Sequence, residues 1–274
     1  MTGSDIAAPA TGAAPQPGAW RGLSPAMRTG LLRAASIAAV LALWELGGRI
    51  PVALTFPSFT ETVVAFGAML ADGSFLSAYS ETGGPLLVGV GLTAVGGIAA
   101  GVAMGLSPRA EWLGVPVFII LQAAPSAAII PLITFIYGID FTAKVFAVVL
   151  LSTPVIVLNS YRGIRNTPVS LTEMSRAFLA SRWQRIWKVI LPSASGLIFA
   201  GLRLGLAQGF TGAVLAELLI TPTGVGDLIT YHRSQAEYDS MYAAILSIIL
   251  VASVTISLLA RLEQRLFRPE LRHP

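Results

Sequence analysis

The side chains best placed to do chemistry lie in one short stretch, residues 171–192, which reads LTEMSRAFLASRWQRIWKVILP. One acidic and four basic residues stand here between two long apolar segments. The pattern fits either a helix-break-helix lying on the cytoplasmic face of a membrane or a solvated basic loop anchored by anionic lipid headgroups. The spacing alone leaves both open.

The other residue types exclude most catalytic and metal chemistry. The chain has no cysteine, and its two histidines, His232 and His273, are far apart in the sequence. A phosphate-binding loop needs Gly, four residues and then Gly-Lys-Ser/Thr. The two lysines, Lys144 and Lys188, are both followed by valine. We therefore expect no enzyme, no metal site and no cofactor on this chain.

The composition places the chain among membrane proteins. Only 12% of its 274 residues are charged, 54% are hydrophobic and the mean hydropathy is +0.74, whereas a soluble domain has about 25% charged residues. The net charge of +4 comes from basic residues in the breaks between apolar segments. That distribution is typical of membrane topology and argues against a nucleic-acid partner.

The apolar segments predict an all-α polytopic membrane protein with about six transmembrane helices and a cytoplasmic loop at 171–192. The predicted spans are residues 32–50, 84–106, 113–137, 142–160, 196–220 and 241–260. Residues 57–71 predict a shorter amphipathic helix at the interface, with a Pro-Ser start. The predicted domains are a disordered cytoplasmic tail at 1–30, a transmembrane domain at 31–268 and a cytoplasmic tail at 269–274.

Lysine and arginine predict the orientation. With the N-terminus inside, fourteen of them fall in inner segments and three in outer segments, with Arg203 inside a span. The three outer residues are Arg49, Lys144 and Arg233. This asymmetry predicts a protein of the cytoplasmic (inner) membrane with both termini in the cytoplasm.

Glycine and proline mark special positions within the spans. Glycine recurs at every fourth position in the second and fifth spans, which predicts close helix packing, either within the chain or at a subunit interface. These glycines are Gly97, Gly101, Gly105, Gly201, Gly205 and Gly209. Pro125, Pro131 and Pro154 are expected to break the third and fourth spans.

Residues 171–192 predict two short helices separated by a break. Thr172 is expected to cap the first helix, with Glu173 near its N-terminal dipole. The helices are predicted at 173–180 and 182–190. Leu191-Pro192 is expected to end the segment, because a residue before proline is pushed out of the helical region.

This stretch resembles the EAA loop of permease subunits of ATP-binding-cassette importers. That motif reads Glu-Ala-Ala, three residues, Gly, nine residues, Ile, one residue, Leu-Pro, and Glu173, Val189 and Leu191-Pro192 match it. Met174, Ser175 and Leu179 depart from it. A leucine at the glycine position disfavours positive φ, so we expect the turn to be more helical or to move to Ala180-Ser181.

The resemblance covers residues 35–268 and is to the nitrate/sulfonate/taurine branch. It rests on Ala180-Ser181-Arg182-Trp183 and on further landmarks along the chain. These are Trp44-Glu45, Phe56-Pro57-Ser58, Ala124-Pro125, Ile130-Pro131-Leu132, Tyr137-Gly138, Leu158-Asn159-Ser160, Gly163, Gly201-Leu202-Arg203-Leu204, Ala216-Glu217 and Gly224-Val225-Gly226-Asp227-Leu228-Ile229.

The resemblance implies that 171–192 is a coupling loop seated in a groove of a separate dimeric ATPase, which holds the ATP and Mg. The implied coupling residues are Glu173, Ala177, Phe178, Leu179, Ala180, Ser181, Arg182 and Trp183. It also implies a periplasmic or lipid-anchored substrate-binding protein, for which residues 221–240 and the outer end of the first span are the best receiving surface. With no internal repeat in the chain, a second copy is expected to complete the pathway.

The substrate pathway is predicted from polar residues within spans, namely Gln122, Ser126, Gln208 and Thr211. Arg203 and Glu217 are expected to be structural, with Arg203 snorkelling and Glu217 reaching the interface. The implied substrate is a small anion such as a sulfonate, taurine or nitrate. An importer for a pyrimidine, riboflavin or an aromatic acid stays open, as does a stand-alone secondary transporter, which would need repeated halves and buried carboxylates.

Overall fold

The computed structural model describes residues 24–50, 53, 55–220 and 222–267, and their regular structure is entirely helical. The predicted tails therefore fall largely outside the described residues, and the first helix begins within 1–30. The helices are α1 Pro25–Arg49, α2 Phe59–Ala71, α3 Ser74–Leu106, α4 Pro108–Ala123, α5 Ser126–Tyr137, α6 Phe141–Arg165, α7 Val169–Ala177, α8 Arg182–Arg185, α9 Leu191–Leu219, α10 Val225–Ser234 and α11 Tyr238–Phe267. Residues Ile186–Ile190 form a π-helical turn between α8 and α9.

The predicted all-α membrane architecture is confirmed. Among the described residues, α1, α3, α6, α9 and α11 are each long and apolar enough to cross a membrane, and α4 with α5 makes a sixth if the pair is one span. The predicted third span, 113–137, is divided into α4 and α5, which meet at 104°.

The effect of the prolines was only partly predicted. Pro125 lies at the break between α4 and α5, as expected. Pro131 and Pro154 instead lie inside α5 and α6, so the expected breaks there are wrong. A proline removes one backbone hydrogen bond from a helix. The other backbone bonds persist, because inside a membrane there is no water to compete for them.

Helix α6 is the centre of the fold and lies between α3 and α9. In its most apolar stretch 67% of the residues are buried, a larger share than in any other described span. The glycines of α3 face it closely, and a Cβ added to Gly101 would lie 2.5 Å from the Cβ of Ser160. On the other side, a Cβ at Gly205 would lie 2.4 Å from Ile156. The glycine faces therefore pack within the chain, and a subunit interface for the glycine face of the fifth span is wrong.

The predicted short helix at 57–71 is confirmed as α2. Its N-cap, Ser58, accepts a hydrogen bond from the backbone N–H of Glu61, and the Glu61 carboxylate accepts one from the backbone N–H of Ser58. This reciprocal pair satisfies two donors at the helix start. Trp44 of α1 donates its ring N–H to the carbonyl of Pro57, at 3.1 Å, and so ties α1 to the start of α2.

Candidate functional site

The loop that follows α6 has the predicted helix-break-helix arrangement. The first helix, α7, begins at Val169 with Pro168 as its N-cap, so Thr172 does not cap it. Thr172 instead donates its hydroxyl to the carbonyl of Val169, at 2.7 Å, inside the helix. Glu173 consequently lies beyond the first turn and is not placed to interact with the helix N-terminus. No side chain caps this helix start.

The break itself is a tight turn at Leu179, where the structure overturns an expectation. Leu179 has a φ of +54°, so the turn stays at the motif glycine position and is not displaced to Ala180-Ser181. The N–H of Leu179 bonds the carbonyl of Arg176, and that of Ala180 bonds the carbonyl of Ser175. A left-handed residue with two such backward bonds is the common ending of an α-helix, normally built on glycine.

The second half of the loop runs without interruption into α9. Ser181 accepts from the backbone N–H of Gln184, whose side chain accepts from the Ser181 N–H, which starts α8. The N–H of Leu191 bonds the carbonyl of Ile186, one residue further back than in an α-helix, and Leu191 has helical angles. The expected ending at Leu191-Pro192 is therefore wrong. Pro192 stands in the first turn of α9, immediately after the π-helical turn, and a proline is tolerated there.

The predicted coupling residues are mostly on the surface. Phe178 is 81% exposed and Leu179 is 92% exposed. Glu173 is also exposed and takes part in none of the ion pairs found among the described residues. Ala177 and Arg182 are exposed and Ala180 is half-buried. Two large exposed apolar side chains on the same short segment as an exposed carboxylate make a surface able to dock a protein.

Trp183 is also on the surface, at 71% exposed. It lines an apolar lateral groove of about 710 Å³ beside the end of α3, together with Val102, Ile186 and Trp187. A second apolar cavity of about 520 Å³ continues along α9 and shares Trp187 with the groove. Tryptophan at the end of a span, beside basic residues, is typical of the membrane interface.

Two of the predicted pathway residues come together. Gln122 at the end of α4 and Gln208 on α9 line one cavity of about 190 Å³, along with Leu150 and Pro154 of α6. No lining residue is charged. Because Pro154 has no N–H, the carbonyl of Leu150, a residue that lines the cavity, lacks the donor that a helix normally supplies.

The other two pathway predictions have different outcomes. Thr211 is exposed and donates its hydroxyl to the carbonyl of Ala207, at 3.2 Å, and it is not among the residues lining this cavity. Ser126 begins α5 at the break, next to Ala124, which does line the cavity.

A buried ion pair near the predicted outer end was missed. Glu217 is 2% exposed and Lys144 is 3% exposed, and their charged atoms are 3.1 Å apart. Glu217 also accepts from the Thr82 hydroxyl at 2.8 Å and from the Gly226 N–H at 3.0 Å, while Lys144 donates to the Thr223 hydroxyl at 2.9 Å. Glu217 thus does not reach the interface. It fixes the segment before α10 onto α3, α6 and α9.

Arg203 also has a specific partner. Its guanidinium pairs with the carboxylate of Glu263 on α11, which is buried. The snorkelling expectation for Arg203 is replaced by an ion pair between two spans, a common arrangement for charges inside membranes.

The family of this chain follows from comparison with known proteins. Residues 93–268 match the family described as the binding-protein-dependent transport system inner membrane component. A permease protein named for aliphatic sulfonates transport, from Bacillus subtilis (strain 168), is 30% identical over 239 residues, covering 84% of each chain.

One further relative and one solved structure are also similar to this chain. The riboflavin transport system permease protein RibX of Chloroflexus aurantiacus is 35% identical over 55% of this chain and 56% of its own length. A chain of the inward-facing MetNI methionine ABC transporter has the same fold, with a TM-score of 0.58 at 18% identity over 70% of this chain and 95% of that chain.

Proposed function

The chain belongs to the family of binding-protein-dependent transport system inner membrane components, and from this premise we propose that two copies of it form the pathway of an ATP-driven importer. As a member of this family, it is a transport subunit with several membrane spans. In the proposal, a separate ATPase docks on residues 171–192 and drives alternating access. Both termini face the cytoplasm, as the positive-inside asymmetry indicates.

The main support for an ATPase-docking site is the exposed surface around the break after α7. Phe178 and Leu179 present apolar side chains to water, and Glu173 presents a carboxylate with no ion-pair partner among the described residues. Exposed apolar patches beside unpaired charges are typical of protein interfaces. The loop also connects α6 and α9, the two most closely packed spans, so a pull on it reaches the core directly.

The bend between α4 and α5 supports pairing of two copies. Irregular backbone at membrane depth is tolerated only where protein or a water-filled cavity covers it. In the described part of one chain, Pro125 at this bend is exposed. A second copy related by a two-fold axis would cover the bend and close the cavity lined by Gln122 and Gln208.

The cavity supports a small solute with hydrogen-bond acceptors as the substrate. Two glutamine amides can donate to a sulfonate, taurine or nitrate, and the lining has no carboxylate to repel an anion. The relative in Bacillus subtilis is named for aliphatic sulfonates, which agrees with this choice. The relative named for riboflavin favours a larger, aromatic solute as the alternative. A binding protein received near α10 and the outer end of α1 would make the selection.

The direct test is co-purification from native membranes in mild detergent, followed by mass spectrometry. The proposal predicts recovery of an ATPase with a phosphate loop and of a binding protein, whose ligand can then be screened. Glu173→Arg is expected to lose the ATPase while the chain stays inserted, because the reversed charge faces a basic partner residue. Glu81→Arg, an exposed carboxylate on α3, is the matched control and should retain it. Transport by the chain alone, without ATP, would contradict the proposal.

A further inference from the structure

Leu179 combines two properties that the described chain itself does not explain. Its backbone is left-handed, with φ +54°. Among the described residues other than glycine, only Ala236 also has a positive φ. Its side chain is 92% exposed, the largest value among the large apolar side chains described. An L-residue in this conformation brings its Cβ close to the following carbonyl oxygen, and glycine avoids that contact.

Neither property is compensated inside the chain. A side chain that is almost wholly in water gains nothing from packing. Glycine at this position would relieve the backbone and remove an apolar surface from water. Strained residues persist at sites where the strain serves binding or switching. The leucine therefore has to be compensated by something that lies outside the chain.

We propose that Leu179 is the specificity-determining anchor of the coupling loop, inserted into an apolar pocket of the cognate ATPase. The inference rests on the proposed function. The turn, held by the bonds from Leu179 to Arg176 and from Ala180 to Ser175, presents the side chain before docking, so little freedom is lost on binding. A partner whose groove has no pocket at this point is rejected sterically, which makes the leucine a discriminating element.

The neighbouring side chains favour a protein pocket over the membrane as the destination. Phe178, beside Leu179, is 81% exposed, whereas Trp183, at 71% exposed, lines the lateral groove next to α3. Trp183 has this groove beside it. In the proposal, Phe178 and Leu179 are the apolar side chains that remain for the ATPase.

The test compares variants of the full chain in lipid nanodiscs, with the ATPase that co-purifies with the wild type as the probe. Leu179→Gly should bind the ATPase about tenfold or more weakly, since burial of a leucine side chain is worth one to two decades in an equilibrium constant. The melting temperature of the chain alone should be unchanged or higher. Leu179→Ala should lose affinity similarly, and Leu179→Met should restore most of it. Leu76→Ala, at an exposed leucine on α3, is the control and should bind as the wild type does.

The outcomes separate the two hypotheses. If the wild type and Leu179→Gly bind the ATPase equally, Leu179 is not an anchor and the inference is overturned, while the importer assignment stands. If the wild type binds no ATPase, the proposed function itself fails. Weaker binding of Leu179→Gly together with a loss of melting temperature would assign the leucine to the fold of the loop and overturn the inference as well.

Discussion

The buried pair of Lys144 and Glu217 makes the strongest stability prediction. Glu217→Gln keeps the shape of the side chain, but its single amide oxygen can replace only one of the two carboxylate oxygens, of which one accepts from Thr82 and the other from Gly226. It leaves the Lys144 ammonium, 3% exposed, without an opposing charge. Removing one partner of a buried ion pair costs about 3–5 kcal/mol. At about 2–4 °C per kcal/mol for a chain of this size, the melting temperature should fall by about 6 °C or more.

The assay is thermal unfolding of the purified chain in detergent, followed by tryptophan fluorescence and size-exclusion chromatography. The double variant Lys144→Met with Glu217→Gln removes both charges and should be more stable than Glu217→Gln alone. The coupling between the two positions should exceed about 1 kcal/mol, as it does for residues in one network. If the double variant loses the sum of the two single losses, the residues do not stabilise each other and the account of the segment before α10 is refuted.

Two further predictions follow from packing and from the cavity. Gly101→Ala places a methyl group 2.5 Å from the Ser160 Cβ and should lower stability by about 1–3 kcal/mol through overpacking, measured by the same thermal assay. Gly96→Ala, with nothing within 4 Å of the added atom, should be neutral or slightly stabilising. Gln208→Leu should raise the KM of ATP-dependent uptake in proteoliposomes, because the cavity loses an amide donor, whereas Thr211→Val, outside the cavity, should leave it unchanged. If Gln208→Leu and Thr211→Val changed the KM equally, the cavity would not be part of the substrate pathway.

The spans were predictable because a membrane demands long apolar helices, and 84–106, 142–160 and 241–260 each fall inside a described helix. The packing face of the glycines followed from their fourfold spacing. The bend between α4 and α5 was signalled by Pro125, but its angle was not. An angle depends on what each half packs against, and the sequence does not state this.

Other features could not be predicted because they depend on contacts distant in the sequence. Lys144 and Glu217 are 73 residues apart, and either residue alone looks like an interfacial charge. The signal that could have paired them is that both stand at the predicted outer ends of spans. The π-helical turn before Pro192 depends on neighbouring residues alone. It was still not predicted, because the rule that a residue before proline leaves the helix predicts an end at Leu191.

The candidate site was located by its motif rather than by its geometry. The motif placed the break at Leu179, while the steric rule for leucine predicted that the turn would move. The structure keeps the turn and leaves the side chain exposed. The conflict between a local rule and the structure falls at the residue that we propose as the anchor, which is where such conflicts are expected.

The most direct test of the coupling surface uses the absence of cysteine from the chain. Phe178→Cys introduces a single thiol at an exposed position, which can carry a photo-crosslinker in native membranes. Crosslinked products are identified by mass spectrometry, and Leu76→Cys provides the control. We predict that Phe178→Cys captures a protein with a phosphate-binding loop and that Leu76→Cys does not. Capture of lipid alone at Phe178→Cys, or of the ATPase at Leu76→Cys, would contradict the account.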